Sequence, residues 1–311
     1  MEGALRDIDI AGQVVAGSQG LDPAIIRHVC SRFRILIVGP ANAGKTTLIK
    51  KFCQSDEEAV VRNAQGQTVS SSTLNPSAQR GLHVINHEIT YQSNPSFVFH
   101  DSMGFESGST VESNIMLEFI HQRSGELSLA DRLHAIWFCI PAGQDRVLGE
   151  PELELFKHNT FGMTVPVIVI FTKWDVQIQK ANNLLRHQGR TRLQAKEEAP
   201  GYAETCFAPQ LQDILHTPYP PRAIVYLRDM HKPEGNCNQL SRVTAEVLDD
   251  AAVKRFFISR QTVADKLAAE HAVRYDTRML RDLGEKCSWF DREILSLKPS
   301  VLCFHSQVSS N

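Results

Sequence analysis

Phe33-Arg34-Ile35-Leu36-Ile37-Val38-Gly39-Pro40-Ala41-Asn42-Ala43-Gly44-Lys45-Thr46-Thr47 is the stretch on which the fold turns. Its first six residues are apolar apart from Arg34 and rich in β-branched side chains, which predicts a buried strand. Gly39 ends that strand, and Gly39 to Thr46 fits the GxxxxGK[ST] pattern. Glycines let the backbone curl so that successive N–H groups converge on one anion, and a helix expected from Gly44 to about Gln54 adds its positive end. This reading gives Gly39, Asn42, Ala43, Gly44, Lys45, Thr46 and Thr47 to phosphate binding. Lys45 neutralises a β/γ-phosphate pair, and the Thr46 hydroxyl is set to hold Mg²⁺.

Working outward, four more apolar runs read as buried strands: Phe97 to His100, His134 to Ile140, Val165 to Phe171, and Ala223 to Leu227. Val84 to Tyr91 alternates more, and Gln92-Ser-Asn-Pro95 separates it from the next run. The pair reads as a hairpin that adds one antiparallel edge strand. Helical patterns near 111–123, 150–159, 178–197 and 205–215 lie between the strands. The alternation predicts an α/β fold with a mostly parallel central sheet covered on both faces. Glu57 to Gly81, rich in Ser, Thr, Gln and Asn, reads as a long polar loop. Residues 1–31 read as a leader with a short helix from Asp22 to Ser31, residues 32–250 as the main domain, and 251–311 as a C-terminal helical extension with a frayed tail. Apolar spacing in that extension, at Val253, Phe256, Phe257, Val263, Leu267, Leu280 and Leu283, suits a helix packed on the domain's own sheet. The alternative is an effector or dimer contact that uses Trp289 and Phe290.

The strand Phe97 to His100 delivers Asp101-Ser-Met-Gly104, a DxxG at a strand end downstream of the phosphate loop. Asp101 is expected to hold Mg²⁺ through water, and the Gly104 N–H to touch a γ-phosphate. Together with Lys45 and Thr46 they form the expected catalytic set. Phe105 and Glu106 follow, so a glutamine that would orient an attacking water is missing from that place. His100 could act there, or serve as a packed spacer at the strand end. A hydroxyl from the polar loop is needed to complete the Mg²⁺ shell. Thr73 is the first choice and Thr68 the second, with Ser70 to Ser72 and Ser77 left open.

Val165 to Phe171 in turn delivers Thr172-Lys173-Trp174-Asp175. The carboxylate of a TKxD element accepts hydrogen bonds from N1–H and the exocyclic amine of guanine, while the lysine stem packs along the base. Adenine has no proton at N1 and leaves the buried carboxylate unmatched, which discriminates by orders of magnitude. Thr172, Lys173 and Asp175 are therefore assigned to base binding. Leu227-Arg228-Asp229-Met230 occupies the place of a last base-contacting loop, without its usual Ser-Ala-Lys character.

Composition sets the limits. The 311-residue chain is 42% hydrophobic and 22% charged with a formal net charge of −2, so no strong basic field draws in nucleic acid. Its seven cysteines form no CxxC pair, which excludes common zinc spacing and a secreted disulfide scaffold. Met1 to Gln13 carries acidic residues and no apolar segment, and no apolar run reaches the ~20 residues of a membrane helix. The expectation is a cytoplasmic protein with no integral membrane segment.

GPANAGKT, DSMG and TKWD in this order resemble the translation-factor-related class of P-loop GTPases. His87-Glu88-Ile89, His134 to Pro141 and VPVIVIFTKWD are similar to fungal G-domain proteins near the septin, Era-like and AIG1-like families, over roughly residues 33 to 230. The resemblance implies a three-layer P-loop NTPase fold of the Ras-like G-domain type, two nucleotide-sensitive loops, and GTP or GDP with Mg²⁺ as ligands. It also implies an on/off cycle with slow intrinsic hydrolysis, a homodimer through the G domain, and a protein effector. Several septin-like relatives carry a hydrophobic residue at the place of Phe105. A nucleotide-gated assembly module with little hydrolysis is the alternative.

Overall fold

The computed structural model describes residues 30–69, 85–102, 110–143, 149–157, 161 and 165–261. Among these, eight strands form one sheet: β1 (Phe33–Val38), β2 (Val60–Arg62), β3 (Thr68–Val69), β4 (Glu88–Thr90), β5 (Phe97–Asp101), β6 (Leu133–Pro141), β7 (Val167–Thr172) and β8 (Ala223–Tyr226). Their spatial order is β3-β2-β4-β5-β1-β6-β7-β8. β5, β1, β6, β7 and β8 are mutually parallel. β4 pairs antiparallel with β5, and β2 and β3 extend that edge, also antiparallel.

The helices are α1 (Lys45–Phe52), α2 (Thr110–Ser124), α3 (Glu150–Lys157), α4 (Asp175–His187), α5 (Arg192–Leu215), α6 (Asn238–Val247) and α7 (Ala251–Ser259). They sandwich the sheet between two cores, because a strand buried on both faces sends alternate side chains to opposite sides. Leu36, Val38, Phe138, Val169 and Phe171 pack under α2 to α5. Phe33, Ile35, Ile37, Trp137 and Ile170 pack under α1, α6 and α7. Phe256 and Phe257 of α7 are fully buried, and the Phe257 ring lies 4.6 Å from that of Phe33. α7 thus packs on the domain's own sheet. Val263, Leu267, Leu280, Leu283, Trp289 and Phe290 lie outside the described residues, as does Asp22 to Val29 of the expected first helix. No helix among the described residues is long and apolar enough to cross a membrane.

Two sequence expectations change. The antiparallel edge holds three strands rather than one, because the polar stretch after Glu57 contains a β-hairpin. Asn63 Oδ1 accepts from the N–H groups of Gln65 and Gln67, and Gly66 takes φ 76°, which closes the turn between β2 and β3. Strands of three and two residues carry too little apolar alternation to stand out. The second change concerns the helices after Asp175. Gly189, at φ 88°, follows the end of α4, and a Thr191/Gln194 capping box starts α5. α5 then runs without a break through Pro200 and Pro209. Its buried stripe of Ala195, Ala199, Ala203, Phe207 and Ile214 offsets the two lost backbone hydrogen bonds.

Arg34, the one polar residue of β1, is 2% exposed. Its guanidinium donates to Glu88 Oε1 (2.6 Å), Ala130 O (2.7 Å) and Asp131 Oδ1 (3.1 Å). It also lies 3.3 Å from His100 Nε2. Arginine only donates, so that nitrogen is an acceptor and His100 Nδ1–H donates to Ile85 O at 3.0 Å. One buried cation thereby joins β1, β4, β5 and the approach to β6. Breaking such a pair strands the remaining charge, so Arg34→Met is expected to cost about 3–5 kcal/mol in urea unfolding.

Both buried histidines of this region are neutral. Burial, then Arg34, pushes His100 down to about 3 and His134 to about 4, from an ordinary 6.5. Below pH 6.5 the unfolded chain takes up protons that the folded chain refuses, so stability falls as pH drops toward 4. The melting temperature should be lower at pH 5 than at pH 7.5; equal values would contradict the neutral-histidine assignment.

Candidate functional site

The parallel strands deliver their C-terminal ends to one edge of the sheet, with β1 where the chain order reverses, the place where α/β sheets bind ligands. Gly39 leaves β1 at φ 149°, with its Cα so close to the Cys139 carbonyl of β6 that a Cβ would collide with that oxygen. The loop then closes through Ala43 N–H to Pro40 O (3.2 Å) and turns left-handed at Asn42 and Gly44, φ 60° and 83°. Gly44 is the N-cap of α1 and supplies no side-chain cap, which leaves a helix N-terminus of the kind that suits an anion.

Lys45 is nearly buried, and its Nζ donates to Gly39 O (2.7 Å) and Pro40 O (3.1 Å). Asp101 Oδ1 lies 3.7 Å from the same amine. β-sheet register sets this meeting: Ile37 pairs with Asp101, and Ser102 N–H donates to Ile37 O. Thr46 and Thr47 are exposed in the first turn of α1. A hydroxyl and a carboxylate on adjoining elements are hard oxygen donors that suit Mg²⁺. Thr73, Gly104, Phe105 and Glu106 lie outside the described residues. Thr68 sits in β3, opposite Arg62. At four strand spacings, about 19 Å, from β1 it is not brought to the phosphate loop.

The TKWD segment lies beside this loop. Thr172 Oγ1, buried at the end of β7, donates to Ala43 O at 2.7 Å and ties the two loops together. Lys173 is exposed with φ 54°, which turns its stem out of the strand. Trp174 is buried against Phe171, Phe207 and Tyr226. Its N–H donates to Leu227 O, so the segment is braced against the end of β8. Asp175 opens α4 and accepts the Asp229 N–H on Oδ1 at 3.0 Å. Asp175 borders an open hollow of about 470 Å³ formed with Ile178, Asn182, Lys196, Arg228 and His231.

Residues 34–173 match the family model described as 50S ribosome-binding GTPase. This segment has the α/β fold of a P-loop NTPase, with a mostly parallel central sheet. No curated protein matches the chain. Among solved structures, the chain is similar to the G domain of the FeoB iron transporter of T. maritima, with 15% identity and a TM-score of 0.34 over 69% of this chain and 98% of that one. It is similar to the small COPII coat GTPase SAR1 of Encephalitozoon cuniculi in complex with GDP, with 15% identity and a TM-score of 0.31 over 79% and 87% of the two chains. A variant of S. thermophilus NFeoB bound to GDP gives 14%, 0.31, and 85% and 86%.

His100 is separate from the site. His100 stands next to Asp101 in β5, yet both ring nitrogens are engaged by Ile85 and Arg34 and its ring packs 4.9 Å from Phe119. It is a buried strut with no free nitrogen for a water. Cys139, directly under the phosphate loop, is held protonated: burial pushes its thiol up to about 12 although Lys45 works the other way. The Asp229 loop is supported at Gly235, whose added Cβ would lie 2.5 Å from Asp229 O, a contact that only folding creates.

Gly39 tests the geometry of the loop after β1. Gly39→Ala puts a methyl group into the Cys139 carbonyl, and the loop or β6 must move. The expected result is a loss of at least ~2 kcal/mol in denaturant unfolding, with a weakened affinity for nucleoside diphosphate by titration calorimetry.

Proposed function

We propose that the chain binds GTP or GDP with Mg²⁺ and hydrolyses GTP slowly, as a molecular switch. The observation that supports this reading is the 2.7 Å bond from Thr172 to Ala43 O, which ties the TKWD segment to the Gly39–Thr47 loop. The Gly39–Thr47 backbone and α1 bind the phosphates, and Lys45 leaves its loop carbonyls to neutralise the β- and γ-oxygens. Thr46 and Asp101 would hold Mg²⁺, which would supply charge neutralisation to a transferring phosphoryl group. Asp175 reads N1–H and the 2-amino group, with Lys173 along the ring. Thr73 and Gly104 are proposed for the γ-phosphate side. The sequence also supports a narrower placing near the septin, Era-like and AIG1-like families.

Phe105, where a water-orienting glutamine would stand, favours the second reading, a nucleotide-gated interaction module with little hydrolysis. Single-turnover hydrolysis of bound GTP separates the two. A rate that rises with protein concentration would point to a second copy supplying the missing group, and a rate at background would favour the module.

Base selection is tested by competition for a fluorescent guanine nucleotide. GTP should displace it at least ~100-fold better than ATP. Asp175→Asn exchanges one acceptor for a donor, which no longer matches guanine but matches the 2-oxo group of xanthine. That variant should lose GDP and gain xanthosine diphosphate; equal affinity for GTP and ATP in the wild type would remove the guanine reading altogether.

A further inference from the structure

We infer that Lys51, at the end of α1 and outside every nucleotide motif, is a positioning residue for base recognition. This rests on the guanine reading of Asp175. The Asp175 carboxylate is oriented by one backbone donor, the Asp229 N–H at 3.0 Å. Asp229 stands at φ 55°, a left-handed conformation that a non-glycine residue holds only when its surroundings enforce it. Those surroundings are two linked turns. Lys232 N–H donates to Asp229 O (2.8 Å) and Gly235 N–H to Lys232 O (3.1 Å). The Lys232 ammonium pairs with Asp229 Oδ1 at 2.7 Å.

The double turn is fastened from outside at one point of the phosphate-loop helix. Lys51 Nζ donates to Lys232 O at 2.8 Å and approaches Pro233 O at 3.4 Å. Lys232 O therefore accepts both the Gly235 N–H and the Lys51 ammonium, and the charge-assisted bond is the stronger kind. One turn earlier on the same helix, Leu48 O accepts from Cys237 Sγ at 3.9 Å, just beyond the loop. The helix that begins at the phosphate cradle thus ends by holding the loop that aims the base-reading carboxylate. Gly235 is the matching constraint inside the loop, since its Cα packs against Asp229 O and Met230 Cα with no room for a methyl group.

The consequence is specific to the base. Releasing Lys51 leaves the phosphate loop intact and loosens the aim of Asp175, so a guanine nucleotide suffers more than its inosine counterpart, which lacks the 2-amino group. Affinities of GDP, inosine diphosphate and ADP are measured by calorimetry for wild type, Lys51→Met, Lys51→Arg and Gly235→Ala, each with its melting temperature. The expected result is a GDP-to-inosine-diphosphate affinity ratio about threefold or more below wild type in Lys51→Met and in Gly235→Ala. Lys51→Arg, a long cationic donor, should recover most of it. Melting temperatures track general damage, which lowers all three affinities together and leaves the ratio alone. Lys51→Met at the wild-type ratio overturns the role of Lys51. A wild type that binds GDP no better than ADP overturns the guanine reading beneath it, and that result appears before any substitution is made.

Discussion

Parallel pairing of β5, β1, β6, β7 and β8 is the constraint from which the site follows. Parallel strands need covered crossovers, so each strand is followed by a loop on the same edge of the sheet, and helices fall on both faces. The register then places particular residues side by side. Ile37 opposite Asp101 brings a carboxylate to Lys45. Pro141 opposite Thr172 and Phe171 opposite Tyr226 bring the β7 and β8 loops level with each other. Nothing in the Gly39–Thr47 loop would meet the TKWD segment without that alignment.

Hydrogen bonds between loops refine what the sheet places. Thr172 to Ala43, Trp174 to Leu227 and Asp229 to Asp175 are each modest, about 1 kcal/mol net. Their value is geometric, because each fixes one loop against the next and spares the ligand the work of ordering them. The same logic acts at the other end of the chain's polar inventory. Arg34 is placed inside a core that would otherwise be apolar, and it is tolerated because Glu88, Asp131, the Ala130 carbonyl and His100 meet its donors. That cluster binds β1 to β4 and to the approach to β6, and it keeps His100 neutral one residue before Asp101.

The legible parts of the sequence were those with local causes. The strand from Phe33, the glycine turn at Gly39, the strand before Thr172 and the hairpin at Gln92 to Pro95 each carry their own signal in apolar runs and turn residues. The β2–β3 hairpin was illegible because strands of three and two residues carry little alternation, and β2 gains its second partner only from β4, far along the chain. The long α5 helix was illegible for a related reason: Pro200 and Pro209 argue locally for breaks, and only the buried alanine face overrides them.

By itself, the sequence determined the order of motifs along the chain: GxxxxGK[ST] at Gly39 to Thr46, DxxG from Asp101, TKxD ending at Asp175. Backbone curl, strand ends and hydrogen-bond valence are local properties, and a short window encodes them. Tertiary structure alone decided which of these meet and what supports them. Lys51 and Asp229 stand 178 positions apart in the numbering, and what occupies the nitrogens of the expected spacer His100 is decided only by Arg34 and Ile85. Such roles depend on partners brought near by folding, and no local pattern announces them.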